Sequence, residues 1–185
     1  LNEFFRVVVD TVQNHGGFVN KFQGDAALCI FGAPIEHPDA SGAALTASRE
    51  LHDELVAVLG QTEFGIGVSA GRAIAGHIGA QARFEYTVIG DPVNLAARLM
   101  QRAEGGILCD AATRSIARGA LAFEPLEPLQ LKGKAKPVLV FSPSRLAPTA
   151  DSREPTPTAG RRREQEELER ATGAFGEGAS RGVDV

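Results

Sequence analysis

The stretch "KFQGDAALCIFGAP", Lys21 to Pro34, decides how the rest of the chain is read. A lysine and an aspartate stand four residues apart, either side of Gly24, immediately before an apolar run the length of a strand. "FVNKFQ" (Phe18 to Gln23) and "AALCIF" (Ala26 to Phe31) are both short and bounded by glycine, so Gly24-Asp25 between them predicts a β-hairpin. The second arm is apolar on both alternating faces, the pattern of a central strand covered on both sides. In isolation Asp25 is an ordinary turn residue, because Gly-Asp pairs make turns routinely.

Working outward, Leu1, Phe4, Phe5, Val8 and Val12 recur at helical spacing and Gly16-Gly17 supplies a stop, which predicts an amphipathic helix before the hairpin. After it, Pro38 and Asp39 suit a first helical turn, and Ala43, Ala44, Ala47, Leu51, Leu55 and Val58 form one stripe. "EFGIGVSAGRAIAGHIG" reads as a strand bending at Gly71 and continuing to Ile78, its glycines structural rather than phosphate-binding. "RFEYTVIG" is a further strand, and Asp91-Pro92 reads as an N-cap with proline at N1 opening a helix through "VNLAARLMQRA". A strand "ILC", a short helix "AATRSIARG" and late strands around Phe123–Leu131 and Val138–Phe141 complete the folded part. The order helix, strand, strand, helix, strand, strand, helix, strand predicts an α/β (α+β) sandwich with a mostly antiparallel sheet. One strand placed ahead of Leu1 would make it the β-α-β-β-α-β ferredoxin-like core.

With 185 residues, 43% of them hydrophobic, the chain can bury one ordinary core. A net charge of -4 and no dense Lys/Arg block in the first 140 residues argue against nucleic acid or an anionic membrane as partner. Cys29 and Cys109 sit in apolar contexts without metal-ligand spacing and read as reduced, packed thiols. His15, His37, His52 and His77 show no ligand spacing either and read as loop or surface residues. There is no bilayer-length apolar run and no signal peptide. Because "LNEFFRVVVDTVQNHGG" starts mid-pattern, without Met or a cap, the chain reads as a fragment with an upstream part. Residues 143–185 change character: four prolines between Pro143 and Pro157, then "GRRREQEELER" and a Gly-rich end, the composition of a linker or tail in which "RRREQEELER" reads as a solvated charged helix, the opening of another domain being the alternative.

Asn94 and Arg98 are four apart on a helix otherwise rich in Val, Leu and Ala, so both project from one face. The segments "NKFQGDAALCIFGAP", "GIGVSAGRAIAGHIG" and "RFEYTVIGDPVNLAARL" together resemble the catalytic domain of class III nucleotidyl (adenylyl/guanylyl) cyclases, with bacterial and particularly actinobacterial adenylyl cyclases the nearest likeness. The resemblance runs from Leu1 to about Phe141 and assigns 1–142 to a ferredoxin-like cyclase homology domain lacking its first strand. It implies that Lys21 and Asp91 read the purine, that Asn94 orients the ribose, and that Arg98 stabilises charge on the α-phosphate. It further implies that Lys132 contacts the terminal phosphates, with Lys134 close enough to compete for that role, and that Asp25 is the second of two aspartates holding two Mg²⁺ or Mn²⁺ ions. Lysine and carboxylate complement the N1 acceptor and amino donor of adenine, though a shifted guanine could meet the same pair, so preference for ATP rests on the family pattern.

The implied reaction is attack of the ribose 3′-oxygen on the α-phosphorus, making cyclic AMP and pyrophosphate. In the family two protomers pair head to tail, so Lys21 serves the purine of one site while Asp25 grips metal in the other, and a homodimer holds two equivalent interfacial sites. Their closeness in sequence therefore implies no shared substrate. The family's first metal aspartate lies upstream of the first helix, so the chain alone is expected to be inactive. The resemblance also implies a cytoplasmic domain, with membrane, HAMP or other sensor modules commonly joined in an intact protein anchored to the inner membrane. Two rival classes are a non-catalytic cyclase-like regulatory domain and a ferredoxin-like RNA-binding module. The first would lose polar site positions that are present here. The second would want exposed aromatics and a basic sheet face, against one tyrosine, no tryptophan and an acidic balance.

Overall fold

The computed structural model describes residues 2–59, 64–80, 83–118 and 121–145. Helix α1, Asn2–Asn14, buries Val7, Val8, Thr11 and Val12 along one stripe, and Gly16 turns the chain out of it at φ 72°. The hairpin follows as expected: β1, Gly17–Gln23, pairs antiparallel with β2, Ala26–Phe31, around Gly24 at φ 66°. A bulge between Val19 and Lys21 leaves Asn20 outside the ladder. The extra residue re-aims the side chains that follow it.

Helix α2, Ala40–Leu59, opens on Asp39, whose carboxylate accepts from the Gly42 N–H at 2.9 Å. Both carboxylate oxygens also accept from the Arg118 N–H at 3.1 Å, tying the start of α2 to a segment 79 residues further along the chain. Leu45, outside the expected stripe, is fully buried, while Val58, expected within it, is exposed.

Strand β3, Ile66–Val68, is short; the chain leaves it at Ser69 and re-forms β4, Ile74–Ala80. The expected bent strand is thus two strands in different sheets. The reason lies at Ser69 and Ala70, which turn away to bond Asp110 (3.2 Å) and Thr113 Oγ1 (2.8 Å) instead of continuing the ladder. Strand β5, Arg83–Ile89, pairs with β4 as a separate ribbon. Helix α3, Asp91–Met100, then leads to β6, Ile107–Asp110, α4, Ala111–Ile116, β7, Leu121–Pro125, and β8, Val140–Arg145. The first late strand stops at Pro125 rather than reaching Leu131, with only a bridge from Leu129 to Val138 beyond it. Strand β8 runs past the expected boundary at 142, and of the tail nothing after 145 falls within the described residues.

A four-stranded sheet, β3-β6-β8-β7, is parallel between β3 and β6 and antiparallel elsewhere. The β1-β2 hairpin forms its own sheet, and α2 packs against both it and β3. Among the described residues β2 pairs only with β1, and all six of its residues are half-buried rather than buried. The expectation of a strand covered on both sides is therefore not met. The apolar sequence remains, but no described strand pairs with the second edge of β2 or of β3.

Polar tethers bind these layers. Asp110, 7% exposed, caps α4 by accepting from the Thr113 N–H at 2.9 Å, and also accepts from the hydroxyls of Thr113 and Ser69. His15 lies in the turn after α1, as expected of a loop residue, 3.3 Å from Glu50 on α2, whereas His52, expected in a loop or at the surface, is a half-buried residue of α2 whose Nε2 bonds the Gly105 carbonyl at 2.8 Å. Cys29 and Cys109 are both free, as expected. Burial pushes the Cys29 thiol up to about 12; burial and then the neighbouring Asp110 carboxylate raise Cys109 to about 12. Only the thiolate is nucleophilic, and at pH 8 its fraction is about 10⁻⁴ for such a group. Iodoacetamide at pH 8 should therefore leave both unmodified in the folded chain and alkylate both in denaturant. Rapid native alkylation of Cys109 would contradict the buried placement.

Candidate active site

Helix α3 is the platform of the site. Its first turn carries Pro92, where a missing N–H costs nothing, and Gly90 precedes it without any side-chain cap. Asp91 is consequently not the N-cap that the sequence suggested; it is the first helical residue, and its side chain serves elsewhere. Leu95 and Leu99 point into the core with Leu108, Leu131 and Val140. The polar residues Asp91, Asn94 and Arg98 take the remaining face, at spacings of three, four and seven.

The helix lies unusually close to β3. A Cβ on Gly67 would fall 2.1 Å from the Ala96 carbonyl oxygen and 2.4 Å from the Met100 nitrogen, and one on Gly65 2.3 Å from the Met100 oxygen. The glycines of "GIGVSAG" thus do the close-packing work expected of them.

A turn from the far end of the domain crosses this platform. Leu131 is buried beneath it, the Lys134 N–H donates to the Leu131 carbonyl at 3.1 Å, and Gly133 has φ 81°. Lys134 Nζ stands 2.5 Å from Asp91 Oδ2. A Cβ on Gly133 would meet the Arg98 guanidinium at 3.4 Å, so the turn backbone lies against Arg98. Lys132 and Asn94 are exposed beside this cluster and Arg98 is half-buried within it.

The structure therefore brings Asp91, Arg98, Gly133 and Lys134 together, and it engages Asp91 with Lys134. Lys21 and Asp25 belong to the hairpin. Lys21 follows the bulge in β1, half-buried, and Asp25 is exposed at the β1–β2 tip. Next to Lys21, Asn20 Nδ2 donates to the Tyr86 carbonyl at 2.6 Å, and the Thr87 hydroxyl donates to Asn20 Oδ1 at 3.3 Å. These bonds dock β1 on β5, the strand that delivers α3. Sequence reasoning passed over Asn20 and Thr87; a polar residue at a strand bulge was the available signal. No group of three or more His, Cys, Asp or Glu residues that could hold a metal ion occurs among the described residues. Asp25 is the one metal position that the resemblance assigned within this chain.

Residues 1–142 match the family model described as the adenylate and guanylate cyclase catalytic domain. The chain belongs to this family. The cyclase fold is also found among solved structures: the adenylyl cyclase CyaB from P. aeruginosa superposes with a TM-score of 0.73 at 25% identity, covering 80% of this chain and 81% of that one. The guanylyl cyclase Cya2 gives a TM-score of 0.67 at 28% identity over 82% and 81% of the two chains. An uncharacterized protein of Mycobacterium tuberculosis, Rv1320c, is 45% identical over 150 residues, 77% of this chain and 26% of its own length. A second, Rv1318c, is 56% identical over 104 residues, 56% of this chain and 19% of its own. This cyclase domain thus spans about a quarter or less of the curated relatives it matches.

Proposed function

We propose that this cyclase domain works as a homodimer that converts ATP to cyclic AMP and pyrophosphate. The observation that carries the reading is the polar face of α3, where Arg98 lies against the Leu131–Lys134 turn and Asn94 is exposed one helical turn before it. On this reading Arg98 faces the α-phosphate, where charge grows as the ribose 3′-oxygen attacks and pyrophosphate departs. A fixed guanidinium there is worth more in the transition state than in the bound substrate. Asn94 orients the ribose, and exposed Lys132 meets the outer phosphates. Lys21 reads the adenine edge as a donor to its N1. Asp91 is left out of the base-reading set because its carboxylate is engaged by Lys134.

Divalent-metal dependence is typical of cyclase domains. A divalent ion supplies neutralisation of the triphosphate and a more acidic 3′-hydroxyl. Asp25 would contribute one ligand to such a site. For the dimer, the β4–β5 ribbon offers a surface: Ile74 and Ile89 are direct cross-strand partners and are 75% and 55% exposed. An apolar pair of that kind on a ribbon unpaired with any other described strand suits burial against a second protomer. No helix among the described residues is long and apolar enough to cross a membrane.

The deciding experiment incubates the intact protein with Mn²⁺ and either ATP or GTP and identifies the cyclic product by mass spectrometry. Cyclic AMP in at least tenfold excess supports the reading. Cyclic GMP as the main product would reassign the substrate, and no product from a folded dimer would favour the regulatory alternative.

A further inference from the structure

We propose that Asp91 is a positioning residue: by pairing with Lys134 it clasps the Leu131–Lys134 turn onto α3 and fixes Lys132 and Gly133 over Arg98. The inference rests on the reading of Arg98 as the residue facing the α-phosphate. The turn is attached to the platform at two points. On one side Leu131, 4% exposed, is buried with Leu95 and Leu99. On the other, the Lys134 ammonium meets Asp91 at 2.5 Å. Between these anchors the turn is closed by its own backbone bond, and Gln130 Nε2 donates to the Lys134 carbonyl at 3.0 Å. Gly133 sits at the centre at φ 81°, a conformation that favours glycine, and its Cβ position stands at ordinary contact distance, 3.4 Å, from the guanidinium.

Asp91 and Arg98 are two helical turns apart on α3, so the clasp and the guanidinium share one face. The pair is a poor stability device. Asp91 is 68% exposed on its side chain, and pairs this open contribute little to folding. A carboxylate in the first turn of a helix is already favoured by the helix dipole, so its local stability needs no lysine. What the pair does control is geometry: Leu131, with Leu129 and Val138 flanking the turn, holds its base on the core, and the pair is the polar tie that fixes its tip against α3. Cations that must meet a polyphosphate in one arrangement are sensitive to looseness at that tip, and a displacement of ~1 Å can cost about 10²-fold in rate.

Steady-state kinetics on the intact protein, with ATP and GTP, tests this. Asp91→Asn and Lys134→Met should each lower kcat about 10- to 100-fold, and Lys134→Arg, which keeps charge and reach, should stay well above Lys134→Met. KM separates positioning from plain electrostatics. Removing a carboxylate near a triphosphate makes the site more positive, so KM for Asp91→Asn should hold or fall even as kcat drops. Preference between ATP and GTP should be the same in both variants as in the parent. In ¹⁵N spectra of the chain, the Arg98 Nε–Hε resonance should move in both variants. The proposal is overturned if Asp91→Asn alters base preference while Lys134→Met is silent, which would make Asp91 a base reader. Wild-type kcat in both variants, or an unmoved Arg98 resonance, overturns it equally. Arg98→Ala distinguishes the underlying failure: unchanged turnover there removes the reading of the site itself.

Discussion

Arg98→Ala should lower nucleotide cyclase turnover of the intact protein by roughly 10²- to 10³-fold and leave the domain folded. The size follows from where the group stands. Arg98 is half-buried on the polar face of α3, against the Gly133 backbone, so its charge is only partly screened and needs little reorganisation as the reaction proceeds. Its spatial neighbour Lys134 is engaged by Asp91 and cannot substitute without leaving that partner. Stability should barely change, because Arg98 lies outside the Leu95/Leu99 core and alanine is the best helix former. The measurement is kcat alongside a thermal melt. A drop in kcat below threefold with an unchanged melt would show that the developing charge is met elsewhere. A collapse of the melt would show instead that Arg98 is part of the architecture.

The contrast between Arg98 and Asp91 shows what the sequence makes legible. Helices α1 to α3 and the β1–β2 hairpin could be read because their signals are local: a stripe at helical spacing, a proline in a first turn, Gly-Asp between two short apolar runs. The pairing of Asn94 with Arg98 on one face is local in the same sense. Asp91 belongs to another class. Its partner is 43 residues away in a turn with no periodic pattern, so the pairing could not be read from the sequence, where Asp91 looked like a cap. The same holds for Ser69, bound 41 residues away to Asp110, where the expected bent strand ends. Apolar patterning also overreached at β2, because it reports that a strand is suited to cover and not whether a described neighbour supplies it.

The site thus depends on two kinds of contact: polar ties that aim the turn at α3, and a backbone approach that sets the height of α3 over the sheet. These act at different points and fail differently. Loosening the first should change the rate and leave the fold intact. Disturbing the second should change both, since the core and the Arg98 platform are opposite faces of one helix.

Gly67→Ala tests that second contact, and it should destabilise the domain by about 1–3 kcal/mol or more. The added Cβ would stand 2.1 Å from the Ala96 carbonyl oxygen and 2.4 Å from the Met100 nitrogen. Both are backbone atoms of α3, so no side-chain rotation relieves the clash. Gly67 does not have a positive φ, so backbone preference adds nothing to the effect. Either α3 must rise from β3, opening the core around Leu95 and Leu99, or β3 must leave its parallel register with β6 at Leu108. At about 2–4 °C per kcal/mol for a chain of this size, the melting temperature should fall by roughly 2–12 °C. Turnover should fall with it, because raising α3 disturbs the Leu95/Leu99 packing on which both Arg98 and the turn clasped to it depend. Gly76→Ala on β4 is the control for stability: nothing lies within 4 Å of its added Cβ, so its melt should match the parent. If Gly67→Ala melted as Gly76→Ala does, the close approach of α3 to β3 would not be a determinant of the fold, and any loss of turnover would need a different cause.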